Sequence, residues 1–530
     1  MMSEAVENIQ SEESGSLPVS WVRARLSEIA AINPTLDKSE IEDDLLVSFV
    51  PMPAVEAETG GIDVSTHRKF AEVKKGYTGF LASDVLFAKI TPCMENGKMA
   101  VVPVLKNDLG FGSTEFHVLR PAGRISPDYL YYFVSSKAFR IEAERNMTGA
   151  VGQRRVPTAF LDASEILLPP AAEQQRIVTK LEELFSELDR GIESLRTAQQ
   201  QLKVYRQALL KHAFEGKLTA EWRARHPDKL ESADALQARI QQEREARYRQ
   251  QLQDWQDAQQ VWETGGKTGS KPTKPKAPKM LLPLSAEELA ELPGLPDGWS
   301  YIYLAYLGDL GRGKSKHRPR NDPRLFGGPY PFIQTGEVRA ANRVIRKYSS
   351  AYSALGLEQS KLWPKGTLCI TIAANIAETA FLGFDACFPD SIVGFSAINN
   401  LVDPGYVDFF IQGARTRIEA YAPATAQKNI NLETLENLVV PLCSGDEQRV
   451  LLQILDERFS VIDQLEKTIA DSLQQAEALR QSILKKAFSG QLVPQRSDEE
   501  PASVLLERIR DERAAQEAIA KRGRKAAKPA

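Results

Sequence analysis

The sequence predicts an α+β protein with an internal duplication, in which two globular units of mixed α/β structure are separated by two long antiparallel coiled-coil helices. Sequence blocks from the first half recur in the same order in the second half. Each globular part shows short apolar runs between turn residues, and each is followed by a proline-free stretch with heptad spacing. At about 150 residues per domain, a chain of 530 residues holds several folding units.

The duplication consists of five blocks, and equivalent positions in the two copies lie 273 to 282 residues apart. The paired blocks are 17–21 and 295–299, 84–90 and 366–372, 152–156 and 426–430, 173–177 and 446–450, and 210–218 and 484–492. A solenoid needs about three copies or more, so two copies indicate a protein with pseudo-two-fold symmetry.

Each copy opens with a globular part that is rich in Gly, Pro, Phe and Tyr. Apolar runs such as 46–50 and 368–372 predict strands that are separated by turns. The globular parts are predicted to span 17–169 and 295–441, and the acidic stretch 1–16 is predicted to be a disordered N-terminus.

A long helix is predicted to close each copy, over 170–216 and 442–490. Apolar positions alternate at spacings of four and three residues, which is the a/d pattern of a coiled coil, and Gly216 and Gly490 stand where a C′ glycine would end each helix. The first seam is Ile177, Leu181, Leu184, Leu188, Gly191, Leu195, Ala198, Leu202, Tyr205 and Leu209; the second is Leu455, Phe459, Ile462, Ile469, Leu473, Ala476 and Ile483, interrupted by Glu466 and Arg480. We expect the two helices to pair antiparallel, and homodimerisation through either helix is the alternative.

Two polar segments follow the helices. Residues 217–294 read as a polar helical insert followed by a flexible Lys/Pro-rich linker, with no counterpart inside a globular unit. Residues 491–530 read as a polar helix and a basic tail with Lys521, Arg522, Arg524, Lys525 and Lys528.

The composition is that of a globular chain, with 42% hydrophobic and 26% charged residues and a formal net charge of −3. Any basic surface for nucleic acid must therefore be local. The four cysteines are far apart, which argues against a disulfide scaffold and fits a reducing cytoplasm. Since no apolar run approaches the ~18 residues of a membrane span, we expect a cytoplasmic protein without a membrane partner.

One segment matches the phosphate-binding P-loop pattern, Gly308–Ser315. A P-loop lysine opens a helix, but Pro319 and Pro323 follow closely, so the sequence argues against a nucleotide site. The favoured interpretation is a basic loop that grips nucleic-acid phosphates, and a solvated run of charges is the alternative. Its predicted DNA-binding residues are Arg312, Lys314, Lys316, Arg318 and Arg320.

No catalytic or metal-binding constellation stands out, because the five histidines lack metal-ligand spacing and no dinucleotide fingerprint is present. Gln153 and Gln427 occupy equivalent positions beside cations. A glutamine amide can bond bidentately to adenine, although a glutamine that caps a turn is the alternative. The predicted DNA-binding residues of these loops and their neighbours are Lys89, Thr91, Glu95, Asn96, Lys98, Ser113, Thr114, Gln153, Arg154, Arg155, Asn375, Gln427 and Lys428.

The duplicated order of a globular part, Glu-Gln-Gln-Arg-Ile or Glu-Gln-Arg-Val, and a helix ending Ala-Phe-x-Gly-x-Leu resembles the specificity subunit of type I restriction–modification enzymes. The resemblance covers essentially the whole chain, and 84–98 and 112–117 also resemble first recognition domains of that family. The insert 217–294 and the C-terminal extension make this a longer member.

The resemblance implies a non-catalytic subunit in which two target-recognition domains each read one half of an interrupted double-stranded DNA sequence. It implies docking of two methyltransferase subunits, with ATP-dependent translocase/nuclease subunits joining for restriction. S-adenosylmethionine, ATP and Mg²⁺ then belong to those partners, and this chain is expected to hold no cofactor. The alternatives are a coiled-coil scaffold with two protein-binding modules and a P-loop ATPase.

Overall fold

The computed structural model describes residues 17–526, except 151, 269–270, 276, 278–282, 374, 399–400 and 421–428, and it leaves the side chains of 517 and 519–526 undescribed. The predicted disordered stretch 1–16 lies outside the described residues. The chain forms two compact units. Unit 1 draws on Met1–Arg196 and Ile469–Ala530, and unit 2 is Thr197–Thr468.

Unit 1 contains two four-stranded sheets and a two-stranded ribbon within its described residues. In spatial order, its central sheet is Ala30–Ile32, Phe116–Pro121, Val85–Ala88 and Met99–Val101, its second sheet is His67–Lys69, Leu46–Val50, Gly110–Gly112 and Thr78–Phe80, and its ribbon pairs Val22–Arg25 with Glu165–Leu168. The short helices are Leu26–Ile29, Met52–Ala54, Phe70–Val73, Lys106–Asp108, Pro127–Ser135, Lys137–Arg145 and Thr158–Ala163.

Unit 2 repeats the central sheet and the ribbon. Its central sheet runs Gly308–Arg312, Ile392–Ala397, Leu368–Thr371 and Thr379–Leu382, with Val344–Ile345 added at the edge, its ribbon pairs Ser300–Tyr303 with Val439–Leu442, and a further pair is Phe326–Phe332 with Ser350–Tyr352. The short helices are Ala220–Arg225, Pro227–Lys229, Ala286–Ala290, Leu304–Tyr306, Pro323–Leu325, Thr335–Ala340, Ala354–Glu358, Pro404–Ala420 and Leu432–Glu436. The shared strand order confirms the predicted duplication and the mixed α/β class.

Buried apolar side chains explain why the inner strands form where the sequence predicts them. All four residues of Val85–Ala88 are buried, and so are all four of Leu368–Thr371. Strands that are covered on both faces lose the polar alternation of a half-exposed strand and read as continuous apolar runs. These strands are the fixed base from which the loops of each unit extend.

Each long helix has 44 residues: the first long helix is Ala171–Phe214 and the second long helix is Gly445–Phe488. Gly216 and Gly490 follow them with φ of +71° and +75°, the left-handed backbone that ends a helix. Within the described part of the chain, none of the helices combines the length and apolarity needed to cross a membrane.

The helices pair antiparallel, as predicted, and one repeated contact fixes their register in each unit. In unit 1, Arg480 of the second long helix lies 4.4 Å from the ring centre of Phe185 and pairs with Asp189 of the first long helix. In unit 2, the equivalent residues exchange helices, since Arg206 lies 4.7 Å from the ring centre of Phe459 and pairs with Asp463. All three residues shift by 274 positions. Arg480, which interrupts the predicted seam, is therefore part of the helix contact.

The predicted seam of the first helix is less buried than that of the second. Gly191 and Tyr205 of the first helix are exposed, Tyr205 to 46%, whereas Arg206 beside Tyr205 contacts Phe459 of the second helix. The predicted seam residues Phe459 and Ile462 of the second helix are buried. An arginine–aromatic contact replaces part of the expected aliphatic seam.

Three of the repeated blocks meet where each long helix ends. A Cβ on Gly490 would lie 2.5 Å from the Pro18 ring, and a Cβ on Gly216 would lie 2.5 Å from the Pro296 ring. Beside Pro18, the Trp21 indole N–H donates to the Glu173 carboxylate at 3.0 Å. The end of the second copy therefore packs against the start of the first, inside unit 1.

The start of each long helix is tied to its globular part by a buried glutamine. In unit 1, the Gln174 amide accepts from the Ser126 N–H at 2.9 Å and donates to the Pro169 carbonyl at 3.0 Å. In unit 2, Gln448 accepts from the Asp403 N–H at 3.0 Å. Gln174 is therefore the equivalent of Gln448, 274 positions away. The sequence blocks 173–177 and 446–450 pair Gln175 with Gln448 instead, so that alignment is wrong by one residue.

The insert and the C-terminal segment contain a sixth repeated element that the sequence analysis missed. The insert helix, Ala233–Thr264, and the C-terminal helix, Ala502–Ala526, match at a separation of 269 positions. Equivalent ion pairs join Glu231 to Arg239 at 3.0 Å and Glu500 to Arg508 at 2.8 Å. The counterpart of the insert helix lies after the second long helix, outside the globular segments 17–169 and 295–441, and one such helix packs on each unit.

Replacing Gly490 with alanine should destabilise unit 1. An alanine at this position must adopt the left-handed backbone that Gly490 has, and its Cβ clashes with the Pro18 ring. We therefore expect the free energy of unfolding to fall by about 1–3 kcal/mol, measured by urea denaturation. Gly191→Ala is the control, because Gly191 lies in an open helical position where alanine should stabilise by about 0.5–1 kcal/mol. Equal stability of the two variants would contradict the proposed packing.

Candidate nucleic-acid interface

Three loops of unit 1 meet at one end of its central sheet, and we call them the loop cluster. They span 89–98, 113–115 and 148–156, of which 151 lies outside the described residues. The Lys89 N–H donates to the Glu115 carbonyl, and the Val156 N–H donates to the Lys89 carbonyl, each at 2.9 Å. The Thr91 N–H donates to the Arg154 carbonyl at 3.0 Å. The structure thus brings together all the residues predicted as DNA-binding in the first copy, on a base of buried strands.

Arg155 links two of these loops. Its guanidinium donates to both carboxylate oxygens of Glu115, at 2.9 and 2.8 Å, and this hydrogen bonding lowers the pKa of Glu115. Arg154 lies 3.6 Å from Glu144, and both side chains remain partly exposed. Arg155 therefore positions the loops, and its charge is already balanced.

Gln153 is exposed at the tip of the third loop. Its backbone N–H closes the local turn by donating to the Ala150 carbonyl at 2.9 Å. Among the described residues, none hydrogen-bonds the Gln153 side-chain amide. Because the backbone rather than the side chain closes this turn, the amide is available to a ligand.

Three predicted side chains of the first loop, 89–98, make hydrogen bonds within the protein. Lys98 donates to the Val55 carbonyl at 2.7 Å and to the Met52 carbonyl at 3.2 Å, so its ammonium holds neighbouring backbone. Thr91 donates to Glu95 at 2.6 Å. These contacts make Lys98, Thr91 and Glu95 supports of the loop.

The remaining predicted residues of the cluster differ in exposure. Asn96 and Thr114 are exposed, and Lys89 is half-buried. The Ser113 hydroxyl accepts from the Glu115 N–H at 3.2 Å, which shapes the second loop. Asn96, Thr114 and Gln153 are therefore the outward-facing polar side chains of the loop cluster.

His117 supports the third loop, a role that the sequence analysis missed. Its Nε2–H donates to the Val156 carbonyl at 2.8 Å, which leaves Nδ1 to accept from the Asn33 amide at 3.0 Å. Burial lowers the pKa of His117, so the ring is neutral near pH 7. The available signal was its place in the 112–117 block, but a lone histidine there does not reveal a contact 39 residues away.

In unit 2, the predicted basic loop is largely paired with its own protein. Arg312 donates to the Asp390 carbonyl at 2.7 Å, and Arg320 lies 3.0 Å from the Asp390 carboxylate. Arg318 donates to the Ser315 carbonyl at 2.7 Å. These three arginines hold the loop together.

Lys314 and Lys316 differ from these arginines, since both are exposed and neither ammonium has a hydrogen-bond or ion-pair partner among the described residues. Lys361, which the sequence analysis did not select, lies beside Lys314: the Ser360 hydroxyl donates to the Lys314 carbonyl at 2.8 Å. The Lys361 ammonium is 3.5 Å from the Trp363 ring centre, and burial together with the Lys314 charge lowers its pKa. Lys314 and Lys316 are therefore the predicted cations of this loop whose donors have no partner among the described residues, whereas Arg312 and Arg318 are held by backbone carbonyls.

The P-loop pattern does not fold as a P-loop. Gly308–Arg312 is a strand that pairs antiparallel with Ile392–Ala397. Lys314 begins no helix, and the next helical turn, Pro323–Leu325, opens on a proline. The strand and coil leave no helix N-terminus to face a phosphate, so the geometry argues against a nucleotide site.

Asn375, another predicted residue of unit 2, lies at the equivalent of the loop cluster. Asn375 accepts from Arg339 at 3.4 Å. Asn429 forms a bridge to Ala373, as Arg155 does to Ile90 in unit 1. Gln427 and Lys428 lie outside the described residues.

Comparison with known proteins gives one consistent match. The family model for the type I restriction modification DNA specificity domain matches twice, over residues 18–196 and 296–475. The chain is similar to the EcoAI specificity subunit of Escherichia coli, with 41% identity over 181 residues, which are 34% of this chain and 30% of that subunit. It is also similar to the EcoKI specificity subunit of E. coli K12, with 23% identity over 532 residues, covering 95% and 97% of the two chains.

The strong similarity is local, since the matches to the EcoAI and EcoEI subunits span only about a third of those relatives. Two solved structures share the fold. The first belongs to a study of complex assembly and conformational transition of the type I R-M system. It has a TM-score of 0.64 at 19% identity, and the match covers 90% of this chain and 100% of that chain. The other, the HsdS subunit from Thermoanaerobacter tengcongensis, has a TM-score of 0.51 at 18% identity and covers 91% and 100%.

The two family-model matches together cover more than half of the residues, and they coincide with the two structural repeats. The chain belongs to the type I restriction–modification DNA specificity family.

Proposed function

We propose that this chain is the sequence-specific DNA-recognition subunit of a type I restriction–modification complex, in which each unit reads one half of a bipartite duplex target. The observation that carries the proposal is that a shared rigid sheet carries loops of different chemistry in the two units. Polar loops on a rigid scaffold are the usual place of recognition. Because the loop side chains differ, the two half-sites differ.

We infer that base contacts in unit 1 come from the outward-facing polar side chains of the loop cluster. The Gln153 amide presents a donor and an acceptor that match N6 and N7 of adenine in the major groove. In unit 2, Lys314, Lys316 and Lys361 supply phosphate contacts, which position the protein without reading sequence.

We further infer that the paired helices set the number of base pairs between the half-sites, since each long helix continues from one unit into the other. The two long helices repeat the same structure and so offer two equivalent surfaces. This repetition supports docking of two copies of a methyltransferase, with restriction subunits joining through them. Methyl transfer from S-adenosylmethionine and ATP- and Mg²⁺-dependent cleavage then take place on those partners.

Exchange of one unit tests the modular proposal. Replacing residues 17–169 with the corresponding segment of another family member should change one half of the methylated motif and leave the other half unchanged, because each loop set rests on its own sheet. The measurement is methylome sequencing of cells that carry the chimera with its partner subunits. A change in both halves would refute independent reading by the two units.

Gln153→Ala should remove one base contact. We expect a loss of about 1–3 kcal/mol in discrimination at a single base position, with little change elsewhere, measured by binding to duplexes substituted at each position. Gln175→Ala is the matched control, because Gln175 is an exposed glutamine on the first long helix. Wild-type selectivity in Gln153→Ala would show that this amide does not read a base.

Replacing Lys314 and Lys316 together with glutamine should weaken binding to all sequences equally. The slope of log affinity against log salt should fall by about 0.9 for each phosphate that the variant no longer neutralises. Arg320→Gln is the comparison, because Arg320 is already paired with Asp390 and should change the slope less. A larger slope change in Arg320→Gln would contradict the assignment of phosphate binding to the lysines.

A further inference from the structure

The basic loop of unit 2 leaves its central sheet at the end that corresponds to the loop cluster of unit 1. Arg312, the last residue of its strand, pairs with Val393 near the start of the neighbouring strand. Thr371, the last residue of the next strand, pairs with Ile392. The segments that follow Arg312 and Thr371 and the one that precedes Ile392 therefore share one end of the sheet. The strand order that both units have in common makes this end the counterpart of the one that carries the loop cluster.

His317 lies in this basic loop, and both its backbone and its ring are held in place. Its N–H donates to the side-chain oxygen of Gln359 at 3.1 Å, and its carbonyl accepts from the Arg318 guanidinium at 2.9 Å. Its ring nitrogen Nε2 lies 2.9 Å from the Oδ2 atom of Asp322. Because these contacts come from three different side chains, the orientation of the imidazole is fixed before any ligand binds.

Asp322 also fixes which nitrogen of this ring carries the hydrogen. The Arg324 guanidinium donates to both carboxylate oxygens of Asp322, at 3.1 and 2.7 Å, and the Arg324 N–H donates to Oδ1 at 3.0 Å. These hydrogen bonds hold the pKa of Asp322 well below its ordinary value. An ionised carboxylate only accepts hydrogen bonds, so Nε2 of His317 must be the donor. In the neutral ring, Nδ1 is therefore an acceptor.

The His317 ring is open to a ligand on its other side. Its side chain is 30% exposed, and none of the residues that the structure describes hydrogen-bonds Nδ1. The preceding Lys314 and Lys316 are exposed and have no hydrogen-bond or ion-pair partner in the described part of the chain. Phosphate contacts fix the register of a protein on a duplex, so a rigid group in the same loop can be presented to a base edge.

We propose that Nδ1 of His317 reads one base of the half-site of unit 2, in the major groove. As an acceptor it matches the amino group of adenine or cytosine and opposes the carbonyl of guanine or thymine. Asp322 is a positioning residue, because it keeps the hydrogen on Nε2. This inference rests on the proposed DNA-recognition function and supplies a base contact in unit 2, which lysines bound to phosphates do not provide.

The first test measures binding of the full chain at about pH 8, the upper end of the range in which imidazoles change charge. The duplexes are substituted at each position of the half-site that stays unchanged when 17–169 is exchanged. A transition mutation swaps the amino group and the carbonyl at one place in the groove, so wild type should reject it at the position that His317 reads. His317→Ala should reduce this discrimination about 3- to 10-fold, the scale of one hydrogen bond, and leave the other positions unchanged. His212→Ala is the matched control, because His212 is an exposed histidine on the first long helix within the same unit.

Asp322→Asn distinguishes base reading from a purely structural role of His317. The Arg324 N–H keeps an oxygen at the Oδ1 position, so the amide nitrogen of the new side chain takes the place of Oδ2 and donates to Nε2. The imidazole hydrogen then moves to Nδ1, which becomes a donor. The preference at the same base position should therefore turn toward the transition product, whose carbonyl accepts.

The outcomes separate this inference from the proposed function. If wild type binds its motif selectively but both variants keep the wild-type preference at every position, the inference is overturned while the proposed function stands. Equal weakening on all duplexes, with no change of preference at one position, would also overturn it, because that result is expected of a residue that only supports the loop. If wild type binds no duplex selectively, the proposed function fails, and this inference fails with it.

Discussion

The architecture depends on a close contact between the end of each long helix and the start of a globular part. Gly490 and Gly216 turn the chain at a left-handed backbone, and the lack of a Cβ lets Pro18 and Pro296 approach. The repeated Trp, Glu and Gln residues lie around these contacts and tie the other end of a helix to the same place. Each unit thus joins the globular part of one copy to the helix end of the other copy.

This closed frame lets the loops vary. The sheet order is the same in both units, whereas the supports of the loops differ: Arg155 and His117 hold the loops of unit 1, and arginines around Asp390 hold the basic loop of unit 2. Much of the polar chemistry near the candidate interface is therefore internal. The side chains left for a ligand are the few whose hydrogen-bonding groups the protein itself does not occupy.

The periodic features could be predicted from the sequence, because apolar spacing and proline placement report directly on strands and helices. The long helices, their glycine ends and the inner strands follow from such patterns. The pairing of Arg320 with Asp390 could not be predicted, since the partners are 70 positions apart and no spacing rule joins them. The sixth repeat was missed because its few buried positions, such as Ile240 and Ile509, lie among polar residues that differ between the copies.

The discontinuity of unit 1 has a consequence for biosynthesis. Unit 2 is one continuous stretch, so all of it has been synthesised before the residues that complete unit 1 are made. Until then, Tyr129 lacks its ring contact with Phe488, and the core lacks Leu505 and Ile509. The amino-terminal part of unit 1 therefore exposes this apolar surface to solvent until the residues after 469 have been made, and exposed apolar surface makes an incomplete unit prone to association.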